Sequence, residues 1–566
     1  MLAHFKICLL LYLLAHTGTI QASGINQLKV GITNPQNKIF QSRPFNFKGH
    51  YLYRAEIQLA LNEHESSQIV LFPERNFSSI EIKVNPLIHE NKIDTISVDF
   101  IQLNPVGYVN LQGKGKGESS ARLGFHPDVL LPNQSFNLTA DVPQPVLLTV
   151  FAPAQSKPGR YFSKIQIKNT QGLNVFIILK VLVHPIQIPK QRQFKSLSLA
   201  RNQNYSDMWP KNQGFQKLNK QQKIQIFKRL AKHGFKNHLP PTAYLVNGLR
   251  SYNWKGSGKT SVSHPTHNKK TGLFNAEETD KYINYMMENG ANSFFIGLTS
   301  DIYKQAKNSQ KREQVLLNYL DDLIPHLKKR GVLENSYLYN IDEPWHEAVD
   351  HAKKIYRLVK KRYGEDINVM QNSNQNNDRN LGEFLNHFDA IDINLGFYNI
   401  NKMQRYRDRN PELFKDVWWN VNLWPRSRPN LFLEYPLIDA RILGPMSYVF
   451  NIQGFEYWDL TFINRIKNYR PVKASDFKLD WIVGKGSLDG LLLYPNEDYD
   501  FYSSMRLESF RDGMEDLELL YLLQQLDPEN VLLNVSLVKD IDDYSESTES
   551  YMAFRNKLFA EIVRLQ

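Results

Sequence analysis

The sequence is almost devoid of cysteine. Its only cysteine, Cys8, lies near the start of the 566-residue chain, inside a stretch typical of a secretory signal. A chain that has lost this signal contains no thiol, which excludes disulfides, thiol catalysis and cysteine-ligated metals. An exported chain without disulfides must be stabilised by large hydrophobic cores. The sequence supplies the side chains for them, with 28 Tyr, 32 Phe and 8 Trp.

Long apolar runs are also missing after the first residues, where no stretch reaches the roughly 18 apolar residues of a membrane-spanning helix. Residues 1–22 have the parts of a secretory signal: Lys6 gives a positive start, Ile7–Ala15 is a short apolar core, and Ala22 is a small residue suited to cleavage. We therefore expect a secreted or periplasmic protein. After signal removal we expect no integral membrane segment.

The sequence patterns of several function classes are absent as well. We find no His-Glu-x-x-His helix, no Gly-x-Ser-x-Gly elbow, no phosphate loop and no zinc-finger spacing. We therefore expect no metal, no cofactor and no nucleic-acid partner. The formal net charge of +12 favours acidic partners by long-range attraction, so an anionic glycan is one candidate. The other explanation of the charge is general surface solubility.

The periodicity of the chain changes near residue 190. Residues 23–190 contain short strand-like runs such as Glu56–Leu61, Gln68–Phe72 and Lys164–Lys168, together with the longer run Val175–Val183. Many short strands separated by turn residues predict an N-terminal β-sandwich domain.

From residue 191 to residue 566 strand-like runs alternate with helical ones. Helices that end at Gly234, Gly290, Gly331 and Gly364 are each followed by a strand, which is typical of parallel β/α units. About eight such units predict a (β/α)8 barrel of the TIM type with a C-terminal helical extension. The fold class is therefore multi-domain, with β followed by α/β.

The most informative stretch is Tyr337–Trp345, a short buried strand that ends in two adjacent acids, Asp342 and Glu343. Pro344 follows them and forces the backbone out of the strand conformation. Both carboxylates could then face one cleft, at the end of a strand where α/β enzymes place their chemistry. The alternative is that one of the two acids caps the following helix.

Other strand ends would meet at the same cleft of a barrel. They are rich in Asn, Tyr and Trp, whose amides bind hydroxyl groups and whose rings cover the apolar faces of sugars. We therefore expect a sugar-binding cleft, although any one of these residues could be structural. The candidate substrate-binding residues are Arg201, His238, Asn372, Asn394, Tyr398, Asn422, Trp424, Tyr457 and Trp458.

Four stretches carry a resemblance to a known family. Tyr339–Pro344 resembles the Asp-Glu signature of glycoside hydrolase family 123, the β-N-acetylgalactosaminidases. Asn62–Gln68, Gly454–Trp458 and Arg506–Asp516 are similar to other segments of that family, in the same order along the chain. One departure is Glu456, since the relatives usually carry a hydrophobic residue there, and Asp459 after the Tyr-Trp pair differs as well.

The resemblance implies a retaining mechanism without an enzyme nucleophile, a recognised exception among glycosidases. The 2-acetamido group of the sugar would attack its own anomeric carbon. Glu343 would serve as general acid and then as general base, and Asp342 would hold the acetamido N–H. We therefore expect an exported exo-β-N-acetylgalactosaminidase. The alternatives are a glycosidase of the same fold acting on a different, acidic or sulfated glycan, and a non-catalytic glycan-binding protein.

Overall fold

The structure is a computed structural model, and its described part begins at residue 27. The described residues are 27–42, 45, 47–113, 122–198, 205–238, 240, 276–296, 309–344, 347–373, 387–409, 416–427, 429–483 and 488–566. The predicted signal, Arg201 and the loop after residue 240 lie outside them. In the described part of the chain, no helix combines the length and the apolar character needed to cross a membrane.

The N-terminal part is built from strands, as the alternation of its apolar residues predicts. These strands are β1 (Leu28–Thr33), β2 (Arg54–Leu61), β3 (Glu63–Pro73), β4 (Phe77–Val84), β5 (Leu87–His89), β6 (Thr95–Ile96), β7 (Ile101–Leu111), β8 (Gly124–Leu130), β9 (Phe136–Leu138), β10 (Gln144–Ala152), β11 (Gly159–Lys168) and β12 (Asn174–Gln187). They form two sheets, with the neighbours β1-β3-β10-β7-β8 in one and β2-β12-β11-β4-β9 in the other. The turn residues Gln171 and Gly172 predict a hairpin between the last two of these strands. This prediction is confirmed, since β11 and β12 pair in antiparallel register from Gly159 to Lys168.

The two sheets pack against each other around one hydrophobic core. That core contains Val30 and Leu71 of the first sheet and Ile165 and Leu179 of the second. On β2 and β12 buried residues alternate with partly or fully exposed ones, so each strand buries one face, as expected for packed sheets. This part is therefore β-rich and two-layered, and the predicted boundary near residue 190 stays a prediction.

The second part contains a seven-stranded parallel sheet. Its strands are β13 (Lys195–Ser198), β14 (Phe294–Ile296), β15 (Ser336–Tyr339), β16 (Asn368–Ser373), β17 (Ala390–Asn394), β18 (Asp416–Val421) and β19 (Gly454–Tyr457). They are ordered β13-β19-β18-β17-β16-β15-β14, so sequential strands are neighbours from β14 to β19. Each of the seven overlaps a strand that the sequence predicts, at Ser196–Ala200, Ser293–Gly297, the run from Tyr337, Asp366–Gln371, Ala390–Leu395, Val417–Val421 and Gly454–Trp458.

The parallel sheet is curled. Rings of Phe295 on β14 and Trp418 on β18 lie 5.7 Å apart, although three strands separate β14 from β18 in the sheet. Lys195 on the edge strand β13 likewise contacts the Tyr337 hydroxyl on β15. The predicted second strand, Asn237–Thr242, lies mostly outside the described residues. The Pro240 carbonyl accepts a hydrogen bond of 3.0 Å from the Ser198 N–H, so the described end of this segment lies beside β13. An eight-stranded closed barrel remains a prediction.

Helices cover the outer face of the parallel sheet and continue to the C-terminus. Those described are α1 (Tyr205–Met208), α2 (Lys220–Lys236), α3 (Ala276–Glu288), α4 (Ser309–Lys329), α5 (Glu347–Tyr363), α6 (Ile400–Arg409), α7 (Leu437–Val449), α8 (Met505–Leu526) and α9 (Thr548–Leu565). The predicted helix near residues 380–388 falls almost entirely outside the described residues. The remaining strands are β20 (Ile466–Lys467), β21 (Lys478–Val483), β22 (Tyr494–Pro495) and β23 (Phe501–Tyr502).

The C-terminal segment joins the two parts of the molecule. β21 pairs in parallel with β7 and so extends the first N-terminal sheet. Helices α7 and α8 cross at Gly444 and Gly513, where a Cβ on Gly444 would come within 1.9 Å of the Gly513 carbonyl oxygen. Only glycine permits so close an approach of two backbones. Helix α8 is therefore held tightly in the interior.

Candidate active site

The segment after β15 is fixed on both sides of the two adjacent acids. The Asn340 N–H donates to the Met370 carbonyl at 2.9 Å, and the Asn340 side chain donates to the Ala352 carbonyl on α5 at 3.1 Å. The Gln371 side chain donates to the Ile341 carbonyl at 2.6 Å. These bonds attach the start of the turn to β16 and to α5.

Asp342 and Glu343 emerge together from this turn. Asp342 is half-buried and Glu343 is exposed, whereas Ile341 before them and Pro344 after them are buried. Glu343 has a φ of 46°, in the left-handed region that non-glycine residues rarely adopt and that costs about 1–3 kcal/mol. This turn replaces the strand alternation, which would send adjacent side chains to opposite faces. Two consecutive acids are thereby accessible at one strand end.

The described part of helix α5 starts at Glu347, and capping of this helix by Asp342 or Glu343 stays an alternative prediction. The backbone strain at Glu343 is of the kind that clusters at functional sites.

A layer of polar side chains lines the inner face of the sheet near the same strand ends. Asp392 on β17 accepts hydrogen bonds from the side-chain amides of Asn372 on β16, at 2.8 Å, and Asn420 on β18, at 2.9 Å. Glu456 on β19 also hydrogen-bonds to Asp392. All four side chains are buried. We call Asp342, Asn372, Asp392, Asn394, Asn420 and Glu456 the strand-end cluster.

Asp342 is electrostatically coupled to this layer. Burial raises the pKa of Asp392, the amides of Asn420 and Asn372 act against that rise, and the charge of Asp342 adds to it. The layer beneath the adjacent acids therefore contains carboxyl groups compensated by neutral amides. Such groups change their protonation more readily than carboxylates paired with arginine.

A row of asparagine side chains extends from this polar layer to the exposed ring of Trp424. The Asn394 side chain donates to the Asn420 and Asn422 side-chain oxygens, at 3.0 and 3.1 Å, and to the Trp424 carbonyl at 3.2 Å. Trp424 is 40% exposed, and the Arg426 guanidinium lies 4.3 Å from the centroid of its ring. An accessible indole beside a row of amides is suited to binding a sugar.

Several predicted residues lie elsewhere. Tyr457 is fully buried on the outer face of the sheet, and its hydroxyl accepts a hydrogen bond from the Gly490 N–H at 2.9 Å. The period of two explains this placement, because Glu456 points inward and its neighbour must point outward. Tyr398 is buried against Trp419 and Phe450. Trp458 is half-buried, and its indole N–H donates to Asp489 at 2.8 Å.

His238 lies at the start of the parallel strands. Its carbonyl accepts a hydrogen bond from Ser196, the second residue of β13. The His238 Nε2 lies 3.4 Å from the Glu515 Oε1, and the His64 Nδ1 lies 3.3 Å from the same oxygen. Both histidine rings line a cavity of about 170 Å³. Burial lowers the pKa of both histidines, to about 4 for His64. Arg201, the remaining candidate, lies outside the described residues.

The prediction missed Asp392 as a site residue. The signal was present in β17, whose sequence Ala-Ile-Asp-Ile-Asn places Ala390, Asp392 and Asn394 on one face and two isoleucines on the other. Polar residues at alternate positions of a buried strand indicate that one face lines a polar interior. Among the described residues, no group of three or more His, Cys, Asp or Glu side chains has an arrangement that could hold a metal ion.

A second polar cluster lies between the two parts of the molecule and holds arginines. Arg441 on α7 donates to Asp516 and to Glu65, both at 2.8 Å. Arg555 on α9 donates to the other Asp516 oxygen at 2.7 Å and also pairs with Glu63. We call this the junction cluster, and its members, all buried, are Glu63, Glu65, Arg441, Glu508, Arg511, Asp512, Glu515, Asp516 and Arg555.

Comparisons with known proteins agree with the sequence resemblance. The family model "Glycoside hydrolase 123, catalytic domain" matches residues 266–523, and "Glycoside hydrolase 123 N-terminal domain" matches residues 58–169. Among curated proteins there is no match.

Among solved structures, a family 123 glycoside hydrolase from Clostridium perfringens, described in terms of glycolipid glycan hydrolysis, is 15% identical. Its TM-score is 0.65, and the match covers 95% of this chain and 97% of that chain. This likeness shows a common fold. A Bacteroides ovatus GH5 xyloglucanase is 8% identical with a TM-score of 0.28, over 81% of this chain and 98% of that chain. A Bacteroidetes-affiliated GH5 cellulase is 11% identical with a TM-score of 0.30, over 58% and 91%; scores this low carry no argument.

The two family models match the chain in the expected order, and together they span more than half of it. The catalytic-domain match includes the strand that ends in Asp342 and Glu343, and the N-terminal match includes most of the β-rich part. The resemblance predicted from four short motifs is thus confirmed. This chain belongs to glycoside hydrolase family 123.

Proposed function

We propose that this protein is a retaining exo-β-N-acetylgalactosaminidase that uses the 2-acetamido group of its substrate as the nucleophile. The observation that carries the proposal is the pair of consecutive accessible acids at the end of β15, Asp342 and Glu343. An ordinary retaining glycosidase needs its carboxyl groups on opposite sides of the anomeric carbon, about 5–5.5 Å apart. Two acids that leave one turn together suit a mechanism in which one protonates the leaving group and the other holds the acetamido group.

In the first step the acetamido oxygen forms a bond to the anomeric carbon and the glycosidic C–O bond breaks. Glu343 gives its proton to the leaving oxygen, and the sugar becomes an oxazolinium ion. The Asp342 carboxylate accepts a hydrogen bond from the acetamido N–H and stabilises the positive charge. In the second step water attacks the anomeric carbon, Glu343 takes its proton, and the acetamido group is restored. Both steps occur at the anomeric carbon with inversion, so the product retains the β configuration.

The neighbouring residues support an uncharged sugar in this position. Asn394, Asn422 and the exposed ring of Trp424 offer amide and stacking contacts. Asp392 and Glu456 add carboxyl groups to Asp342 and Glu343, so the described residues around the strand end do not favour a uronic acid or a sulfated sugar there. The Clostridium perfringens relative is described as acting on glycolipid glycans, and we propose a glycan with a terminal N-acetylgalactosamine, carried by lipid or protein. We further propose export through residues 1–22, which N-terminal sequencing of the mature protein would test.

The test is Glu343→Gln, assayed on an aryl β-N-acetylgalactosaminide and on a panel of GalNAc- and GlcNAc-terminated glycans. Loss of a general acid should lower kcat by about 10²- to 10⁴-fold on substrates with poor leaving groups, with little change in KM. The matched control is Glu334→Gln, an exposed glutamate before the other end of β15, which should keep wild-type turnover.

Two results would contradict the proposal. Wild-type turnover in Glu343→Gln would remove the role assigned to Glu343. Equal hydrolysis of 2-hydroxy and 2-acetamido aryl glycosides would exclude the acetamido nucleophile and favour a glycosidase acting on another sugar. Binding on a glycan array with no sugar released by the wild-type protein would favour a non-catalytic glycan-binding protein.

A further inference from the structure

The strand-end cluster contains two buried carboxyl groups that point to the same interior. Asp392 is fully buried and Glu456 is 3% exposed. A Cβ on Gly454 would lie 2.2 Å from the Trp418 ring, so Gly454 faces the inside of the curled sheet. Glu456, two residues later on β19, faces the same way. In the register of the sheet Glu456 lies next to Asn420, whose side chain donates to Asp392.

The hydrogen bonds show how a proton is divided between the two acids. Each oxygen of Asp392 accepts an amide N–H, from Asn420 on one side and from Asn372 on the other. A carboxylate is an acceptor only, and these two hydrogen bonds favour the ionised form of Asp392 against the effect of burial. A hydrogen bond between two carboxyl groups requires one proton. Because the amides donate to both oxygens of Asp392, Glu456 is the more favourable of the two acids for that proton.

We propose that Glu456 is a positioning residue, which donates a hydrogen bond from its carboxylic acid to the Asp392 carboxylate so that the pair carries a single negative charge beneath Asp342. Two charged carboxylates in one buried site repel each other strongly, and sharing a proton is the usual resolution. The single-charge state keeps Asp392 in place beside Asn420 and limits the repulsion that Asp342 experiences. The role of Asp342 rests on the proposed function, whereas the proton on Glu456 does not.

The described groups that face this pair are of few kinds. Asp342 acts from the end of β15, and the Tyr339 hydroxyl lies 3.5 Å from Asp392. Asn372 and Asn420 are neutral. A cation, Lys195, lies on the inner face at the other end of the strands, where it is already paired with Asp416 at 3.0 Å. Apart from Lys195, these described neighbours offer the pair no positive charge.

The first measurement tests whether the pair of acids holds a proton that depends on Glu456. An infrared difference spectrum between the wild-type protein and Glu456→Gln, recorded at neutral pH, should contain the carbonyl stretch of one protonated carboxylic acid that the variant has lost. Other buried acids cancel in the difference. A spectrum without this band would overturn the proposal. Its outcome does not depend on which reaction the protein catalyses.

The second measurement separates hydrogen bonding from packing. Glu456→Gln keeps a donor toward Asp392, whereas Glu456→Met keeps the size of the side chain and loses the donor. We expect Glu456→Gln to retain kcat within about threefold and Glu456→Met to lose about tenfold, the equivalent of one hydrogen bond to a charged group, with KM changed less than kcat. Equal kcat values in the two variants would show that Glu456 only fills space and would overturn the proposal.

The two proposals fail separately. If Glu343→Gln is fully active while the infrared band is present, the assignment of Glu343 is wrong and the Glu456–Asp392 pair stands. If Glu343→Gln is inactive and the band is missing, the proposed reaction stands and Glu456 is not the proton donor. If Glu456→Met does not fold, the infrared spectrum of Glu456→Gln alone decides whether the proton is held there.

Discussion

The junction cluster and the strand-end cluster are both buried and polar, yet they compensate their acids differently. In the junction cluster Asp516 and Glu65 face the guanidinium groups of Arg441 and Arg555. In the strand-end cluster Asp392 faces amides and a second carboxyl group. A guanidinium is always charged, so it keeps a facing carboxylate ionised. An amide leaves the carboxyl group free to gain or lose a proton, which acid–base chemistry requires.

The two clusters also differ in how the sequence marks them. Two of the four motifs that carry the family resemblance, Asn62–Gln68 and Arg506–Asp516, contribute Glu63, Glu65, Glu508, Arg511 and others to the junction cluster. Residues that identify the family are therefore partly residues that connect its two parts. The acids of the proposed reaction belong to a shorter motif, in a single turn after β15.

The largest effect should come from breaking the junction. Arg441→Ala would leave Glu65 and Asp516 without one of their two guanidinium partners in a fully buried site. Removing one partner of a buried ion pair typically destabilises a protein by about 3–5 kcal/mol. We expect a loss of that size in the free energy of unfolding, measured by urea denaturation followed by circular dichroism.

The control for this prediction is Arg362→Ala. Arg362 pairs with both oxygens of Asp321 at 2.7 Å, but its side chain is 51% exposed. Exposed pairs contribute about 0–1 kcal/mol. If both variants lost the same amount of stability, burial would not distinguish the junction from surface ion pairs.

A second prediction uses pH to separate the clusters. Burial alone would raise the pKa of Glu508, but Arg511 and Lys236 outweigh it and lower the pKa to about 2, from 4.5. A carboxyl group whose pKa is lower in the folded state than in the unfolded chain stabilises the fold at pH values above the unfolded pKa. That stability is lost as the pH falls toward 2. The stability difference between wild type and Glu508→Gln should therefore be about 3 kcal/mol at neutral pH and should shrink in acid.

Asp392→Asn should show the opposite trend. Burial raises the pKa of Asp392, so its contribution to stability is fully present below the unfolded pKa near 4 and is lost as the pH rises. The difference between wild type and Asp392→Asn should therefore be largest in acid and should decrease toward neutral pH. Thermal unfolding midpoints measured from pH 3 to pH 8 would test both variants. Parallel trends would mean that the two clusters are electrostatically alike.

The sequence predicted where the strands and helices lie better than it predicted which side chains are buried and which residues they contact. The run Tyr337–Glu343 predicted both the buried strand β15 and the acids after it, because alternation and the following proline are local signals. The stripe of Leu507, Phe510, Met514, Leu517 and Leu520 predicts a helix over Ser503–Leu523, and α8 runs over Met505–Leu526. The structure also buries Arg506, Arg511 and Asp512 on the same helix, which the apolar stripe does not indicate.

The reason is that the partners of these charges are far away in the sequence. Asp128 pairs with Arg506 across 378 positions, and Glu65 pairs with Arg441 across 376. No pattern within a helix indicates such partners. His238 was misplaced for a related reason: helix α2 continues to Lys236, so His238 comes at the beginning of the predicted second strand. The structure brings together three of the predicted strand-end residues, Asn372, Asn394 and Asn422. Each occupies a position in the alternation of its strand whose side chains face the inside of the sheet.

The smallest expected effect concerns the rim of the strand-end cluster. Trp424 is exposed, and the Arg426 guanidinium packs on one face of its ring. Removing the Trp424 side chain should therefore leave the fold intact. We expect Trp424→Ala to raise KM for N-acetylgalactosaminides about two- to twelvefold, since an aromatic contact contributes about 0.5–1.5 kcal/mol. The matched control is Phe125→Ala, an exposed aromatic at the start of β8 in the β-rich part, for which KM should not change. An unchanged KM in Trp424→Ala, with the thermal midpoint also unchanged, would place the sugar away from this ring and confine substrate binding to the amides and acids inside the sheet.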